Sequence, residues 1–163
     1  MKKILIVARH PLMSRGLALT LQAEPDLQVC AQVADAAEAL AALDTMVPDL
    51  VLVDISLPDV GGLALISHLR SRHPCLRALV ISRHEATSLA RRALGAGARG
   101  YVLRKEVGEC LVEAVQRVLA GGLYVSEEIN QQLLLSLTVQ RRDLSPWLDP
   151  SPAMGEAQRG GVP

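Results

Sequence analysis

Five short apolar runs, each followed by a stretch with helical periodicity, are the feature of this sequence that most constrains its fold. Between and after the runs, apolar residues recur at i, i+3 and i+4, as they do on one face of a helix. Such alternation predicts parallel strands joined by right-handed crossovers, and hence an α/β protein with a five-stranded, doubly wound parallel sheet. The five runs are KILIVA at 3–8, LQVCAQV at 27–33, DLVLVD at 49–54, RALVIS at 77–82 and GYVL at 100–103.

The composition of the chain argues against several classes of function. The 163 residues are half apolar, enough for one ordinary core, and 17 basic residues balance 17 acidic ones. No overall charge therefore attracts the chain to nucleic acid or to an anionic membrane. The three cysteines are far apart and form no C-x-x-C pair, which argues against disulfides or a zinc site and favours the cytoplasm. No run approaches the roughly 20 apolar residues of a membrane-spanning helix.

The sequence changes character after residue 122, and three segments are predicted. Residues 1–122 form the α/β domain, residues 123–142 a further helix, and residues 143–163, rich in Pro and Gly, a disordered tail. Ser126 is predicted to cap the further helix, two glutamates lie in its first turn, and two arginines lie at its end. Its apolar side faces either the domain or a second copy of the chain, and comprises Ile129, Leu133 and Leu137.

A candidate site lies where strands 1 and 3 end. Ligands of open α/β sheets bind outside the carboxyl ends of the strands, at the point where the strand order reverses. Strand 3 ends in Asp54, whereas strand 1 ends in Ala8 and Arg9. Taken alone, Asp54 also fits an ordinary loop acid that begins a turn.

The segment VLVDISLPDVGG resembles the phosphoacceptor segment of two-component receiver domains. Ser82 and the stretch GARGYVLRKE fall where receivers carry a switch hydroxyl, an aromatic residue and an invariant lysine. The resemblance covers residues 2–122, and RHPLMSRGLALTLQAEPDLQVCAQVADAAEAL is most similar to receivers that precede a LuxR-type helix-turn-helix. It implies the flavodoxin-like fold with strand order 2-1-3-4-5.

By this resemblance, Asp54 is the phosphoacceptor position, Ser82 the hydroxyl that would bond the phosphate, and Tyr101 the ring that would turn inward. Receivers hold magnesium with a pair of acids after strand 1, because this hard cation needs carboxylate charge beside the transferred phosphoryl group. Ala8 and Arg9 stand at those positions, and Arg104 takes the place of the lysine. The magnesium site is therefore expected to be lost, and no cofactor is expected.

A guanidinium is a planar fork suited to gripping a carboxylate, so one or both of Arg9 and Arg104 are expected to neutralise Asp54. The preferred hypothesis is a receiver kept as an interaction module that needs neither phosphorylation nor magnesium. In the alternative, Arg9 points to solvent and the chain is a conventional phosphoacceptor of a DNA-binding regulator. That regulator's helix-turn-helix would lie outside this chain, because residues 123–163 predict only one helix.

The expected partners follow from these hypotheses. They are a second copy of the chain and a sensor histidine kinase or another regulatory protein, with DNA contacted only through an output domain and no membrane association. Independent enzymatic activity is not expected, because no Gly-rich phosphate loop, nucleophile elbow or Cys/His pair is visible. The basic segment 83–105 is either a solvated face or a contact surface.

Overall fold

A computed structural model describes the backbone of residues 1–57 and 61–148 and the side chains of residues 1–57 and 61–138. Strands and helices alternate along the chain as predicted, and the described elements, in order, are β1 (Lys2–Val7), α1 (Pro11–Gln22), β2 (Leu27–Val33), α2 (Ala36–Leu43), β3 (Leu50–Asp54), α3 (Gly61–Arg72), β4 (Arg77–Ser82), α4 (Thr87–Ala96), β5 (Gly100–Leu103), a 3-10 turn (Arg104–Glu106), α5 (Val107–Leu119), β6 (Tyr124–Val125) and α6 (Glu127–Leu148).

The strands form one parallel sheet in the order β2-β1-β3-β4-β5-β6. This confirms the predicted doubly wound fold and its 2-1-3-4-5 order. The prediction of five strands was one short, because β6 adds an edge strand of two residues beside β5. Two residues carry no periodicity signal, and this strand is defined by its backbone hydrogen bonds, in which Tyr124 N donates to Arg99 O at 3.1 Å.

Apolar side chains on both faces of the sheet form two core layers. On one face, Ile4, Ile6 and Leu52 pack with residues of α1 and α5, such as Leu17 and Val115. The residues that alternate with them pack on the other face with α2 and α3, and include Leu5, Val7, Val51, Val53, Ala39 and Leu65. The central strands are buried on both faces, which explains why they are apolar along their whole length.

The C-terminal part differs from the prediction in length. The last helix continues to Leu148, beyond the predicted boundary at 142, and the rest of the predicted tail, 149–163, lies outside the described residues. By compactness the chain divides into one unit at Met1–Ile129 and a second at Asn130–Pro163. Ile129 is buried, whereas Leu134 and Leu137 are exposed. Within residues 1–57 and 61–148, no helix has the length and apolar character needed to cross a bilayer.

Candidate functional site at the carboxyl edge of the sheet

Four of the predicted site residues lie at one edge of the sheet. Parallel strands end at a common edge, so Ala8 directly after β1, Asp54 at the end of β3 and Ser82 at the end of β4 are neighbours there. Arg104 follows β5, which pairs with β4 so that Leu103 lies beside Ser82. The strand order therefore brings together residues that are separated by up to about a hundred positions in the sequence.

Asp54 is almost completely buried, with 3% of its side chain exposed, and both of its carboxylate oxygens accept hydrogen bonds. Oδ1 accepts from the backbone N of Ser56 at 3.0 Å and from the Ser56 hydroxyl at 2.7 Å. Oδ2 accepts from Nη2 of Arg104 at 2.9 Å, which forms an ion pair. The charge of this buried carboxylate is thus matched by a cation of the same chain.

Arg104 reaches Asp54 through one nitrogen rather than through a two-pronged fork. The side chain is 25% exposed, whereas its Nε is buried and has no hydrogen-bond partner among the described residues. A buried donor without a hydrogen-bond partner destabilises the folded state and so lowers the free energy of unfolding. The pairing with Asp54 is therefore achieved with imperfect geometry.

Lys105 lies in the 3-10 turn after β5, and its amine pairs with two glutamates rather than with Asp54. Its Nζ donates to Oε1 of Glu85 at 2.5 Å and contacts Oε2 of Glu128 at 3.0 Å. These two carboxylates raise the pKa of Lys105 above its ordinary value. In return, the hydrogen bond from Lys105 lowers the pKa of Glu85. The turn after β5 thus contributes one cation to Asp54 and another to the loop after β4 and the start of α6.

Arg9 and Ala8 do not contact the Asp54 carboxylate through any hydrogen bond or ion pair within the described part of the chain. Arg9 is exposed, and Ala8 is buried with a methyl group that offers no donor or acceptor. Of the two arginines expected near Asp54, Arg104 alone is paired with it. Among the described residues, no group of three or more His, Cys, Asp or Glu side chains could hold a metal ion.

Ser82 and Tyr101 are both completely buried, and they are connected through the backbone of His84. The N–H of His84 donates to the Ser82 hydroxyl at 2.9 Å, and the Tyr101 hydroxyl donates to the carbonyl of His84 at 2.9 Å. Burial raises the pKa of Tyr101 above its ordinary value, and the nearby Ser82 hydroxyl partly opposes this shift. The Tyr101 ring is therefore in the inward position, and the loop after β4 is fastened to it.

Sequence reasoning missed the part that two serines, Ser56 and Ser126, play in supporting the site. Ser56 lies two residues after Asp54, and the Asp-x-Ser spacing, which allows a local side-chain turn, was the available signal. Ser126 was predicted only as the cap of the last helix; in the structure its buried hydroxyl accepts a hydrogen bond from the backbone N of Leu103 at 3.0 Å. Its own N–H donates to the carbonyl of Tyr101 at 3.0 Å. The start of α6 is thus attached to β5.

A doubly wound parallel sheet with Asp54 at the end of β3, Ser82 at the end of β4 and a buried Tyr101 in β5 defines the receiver class of signalling domains. Residues 4–116 match the family model of the response regulator receiver domain. The chain belongs to that family, and it is a receiver domain of a two-component response regulator.

Curated relatives of this chain are named as transcriptional regulators. It is 33% identical over 132 residues to the transcriptional regulatory protein DegU of Brevibacillus brevis, a match covering 81% of this chain and 56% of the relative. It is 35% identical over 130 residues to the transcriptional regulatory protein UhpA of Salmonella typhimurium, covering 80% and 65%. The chain thus spans less than two thirds of the length of these curated relatives.

Solved structures show the same fold. A LuxR-family two-component response regulator from Aurantimonas sp. SI85-9A1 superposes with a TM-score of 0.80 at 32% identity, covering 83% of this chain and 97% of that chain. The isolated receiver domain of RcsB from Salmonella enterica serovar Typhimurium, with the phosphomimetic BeF3-, superposes with a TM-score of 0.75. At 19% identity, the RcsB likeness concerns the fold alone.

Proposed function

We propose that this chain is an atypical receiver that acts as an interaction module in signal transduction and transcription regulation without phosphorylation of Asp54. The observation that carries the proposal is that both carboxylate oxygens of Asp54 are engaged, Oδ2 by Arg104 and Oδ1 by Ser56. An oxygen that attacks a phosphoryl donor has to leave such partners. The internal cation also supplies the charge that a metal would otherwise bring to the site.

The residues present do not fit the magnesium ion that the family implies. Magnesium is held through carboxylates and waters in near-octahedral geometry, and the positions after β1 are a buried methyl group at Ala8 and an exposed cation at Arg9. The Asp54 carboxylate is already paired with Arg104. The proposed activity therefore contains no step that uses the metal.

The second candidate function is that of a conventional phosphoacceptor in a phosphorelay. It is favoured by three residues that occupy the family's positions, namely Asp54, Ser82 and the inward Tyr101. Under this candidate the Arg104 contact opens when a phosphodonor arrives. Membership of the family is equally consistent with both candidates.

The proposed partners are proteins. A sensor histidine kinase or another regulatory protein would contact the domain, and DNA would be contacted only through an output domain. A role in transcription is supported by the relatives, which are named transcriptional regulatory proteins. A second copy of the chain is the other proposed partner, because exposed leucines on α6 would form an apolar stripe in a monomer. These leucines are Leu134, Leu135 and Leu137.

The deciding experiment is intact-mass spectrometry after incubation with acetyl phosphate and magnesium. The wild type is expected to carry no phosphoryl adduct. A triple variant with Ala8→Asp, Arg9→Asp and Arg104→Lys restores two acids and the lysine, and is expected to gain an adduct. Adding Asp54→Ala to the triple variant removes the acceptor oxygen and serves as the matched control.

A wild-type adduct located at Asp54, in a yield comparable to that of the triple variant, would contradict the proposal and establish the conventional phosphoacceptor. The wild-type measurement stands by itself if the triple variant does not fold. Circular dichroism of each variant checks folding before the masses are compared. Light scattering at micromolar concentration tests the homodimer separately, and a monomer mass would contradict it.

A further inference from the structure

A cleft of about 740 Å³ opens at the amino-terminal edge of the sheet, the edge opposite Asp54. It lies where β4 and β5 begin and where α3 and α4 end. Three arginines line it, Arg70, Arg77 and Arg99, and its lining contains no aspartate or glutamate. Neither of the two candidate functions uses this part of the molecule.

Two of the three arginines donate hydrogen bonds to backbone carbonyls. Nη1 of Arg70 donates to the carbonyl of Gly95 at 3.0 Å, and its aliphatic stem lies over Gly97. Gly97 has φ of +122°, and a Cβ at that residue would lie 2.8 Å from Cδ of Arg70. Nη1 of Arg77 donates to the carbonyl of Leu119 at 2.9 Å. A guanidinium has five N–H donors, so each of the two has further donors that a ligand could use.

The rest of the lining combines charge with apolar surface. Arg99 is exposed and forms no ion pair with the described residues. Leu94 and Leu123 contribute apolar surface beside it, and Leu123 is 59% exposed, which is high for a leucine. The volume falls within the roughly 300–1,000 Å³ of small-molecule sites, which combine an apolar lining with a few polar groups.

We propose that this cleft binds a small phosphate ester that carries a ring, the chemical class of the nucleoside phosphates. Arginine forks match phosphate oxygens in geometry and charge, and three of them in one lining without an acid suit an anion with several charges. The leucines offer the surface on which a ring packs. A concave cleft of this size accommodates a compact anion better than it does an acidic protein segment.

Cys75 serves as a reporter of occupancy, because it is exposed and lines this cleft; it also lines a second cleft beside Asp49, so the arginine variants below assign the protection to one of the two. The full chain is treated with N-ethylmaleimide, an uncharged reagent, and the rate of modification of Cys75 is followed by peptide mass spectrometry. ATP, AMP, adenosine and pyrophosphate are added at constant ionic strength. ATP at ten times its Kd is expected to slow the modification about tenfold, since about one site in eleven remains empty. Adenosine is expected to have no effect.

Arg99→Gln tests the site itself, because this side chain carries none of the structural hydrogen bonds that fix Arg70 and Arg77. It is expected to weaken ATP binding about tenfold, as expected for one lost charge-assisted hydrogen bond. Arg92→Gln on α4 is the matched control. It makes the same change of charge at an exposed residue outside the cleft lining, and is expected to leave the Kd unchanged.

Four outcomes would overturn the proposal. The first is that neither ATP nor AMP protects Cys75 at millimolar concentration, and the second is that Arg92→Gln and Arg99→Gln weaken ATP binding equally. The third is that pyrophosphate binds as tightly as ATP, and the fourth is that an acidic peptide protects Cys75 in preference to ATP. The second would indicate general attraction between charges. The third would show that the apolar surface binds no ring. The fourth would assign the cleft to a protein partner.

Discussion

The ion pair between Arg104 and Asp54 is expected to contribute measurably to the free energy of unfolding. Arg104→Met keeps most of the side-chain volume but removes the cation, leaving a carboxylate that is 3% exposed without its charged partner. Breaking a fully buried pair costs about 3–5 kcal/mol, whereas an exposed pair contributes about 0–1 kcal/mol. Since the arginine is 25% exposed, water screens the contact, and an intermediate loss of about 2 kcal/mol is expected.

Two features of the site bear on this magnitude. The two hydrogen bonds from Ser56 to Oδ1 remain in the variant and continue to stabilise the carboxylate. The variant also removes the buried Nε of Arg104, which lacks a partner among the described residues and therefore costs stability in the wild type. The single substitution thus measures several effects together. A double-mutant cycle with Asp54→Asn isolates the term that belongs to the pair.

Urea denaturation of the wild type, both single variants and the double variant measures this coupling. We expect a coupling energy of about 1–2 kcal/mol between Asp54 and Arg104, with unchanged m-values. Arg92→Met, at an exposed residue of α4, is the control and is expected to stay within about 0.5 kcal/mol of the wild type. A coupling energy below about 0.5 kcal/mol would refute the reasoning that Asp54 is neutralised by an internal cation.

Three further predictions concern the rest of the domain. Gly100→Ala should lower the free energy of unfolding by about 1–3 kcal/mol, because its Cβ would overlap a methyl group of Leu79 and lie 2.9 Å from the carbonyl oxygen of Tyr124. Gly108→Ala meets no atom within 4 Å and should stabilise α5 slightly, and chemical denaturation compares the two. Ser126→Ala should cost about 1–3 kcal/mol in the same assay, because it leaves a buried N–H of β5 without an acceptor, and an unchanged midpoint would contradict this. The pKa of Glu85 is lowered in the folded protein, so its pairing with Lys105 stabilises the fold above the unfolded pKa, and this stabilisation is lost as the pH falls through the folded pKa. Lys105→Met should bring the pKa of Glu85 back toward 4.5 in an NMR titration.

Local patterns were enough to predict the doubly wound α/β class and the positions of five strands, whereas the strand order was implied by the resemblance to receivers. A strand buried on both faces has to be apolar along its length, and a helix packed on it repeats its apolar residues every three or four positions. Both signals are carried by neighbouring residues, so the first five strands were found to within a residue or two. The sixth strand was missed, since its two residues are defined by backbone hydrogen bonds to β5.

The sequence also predicted the location of the site. Because parallel strands end at one edge, Asp54 and Arg104 could be assigned to the same edge from their positions after β3 and β5. The tertiary structure decided which cation neutralises the acid, since Arg9 turns to solvent and Arg104 does not. That outcome depends on the path of the backbone after each strand, which residue types alone do not determine.

The cleft at the opposite edge is a product of the tertiary structure alone. Arg70, Arg77 and Arg99 belong to three different elements, and no spacing between them marks a common site in the sequence. They meet because α3 and α4 end beside the start of β4 and β5. Periodicity in the sequence indicates which face of an element is buried. It does not indicate which side chains of separate elements meet, because that depends on the order of the strands in the sheet.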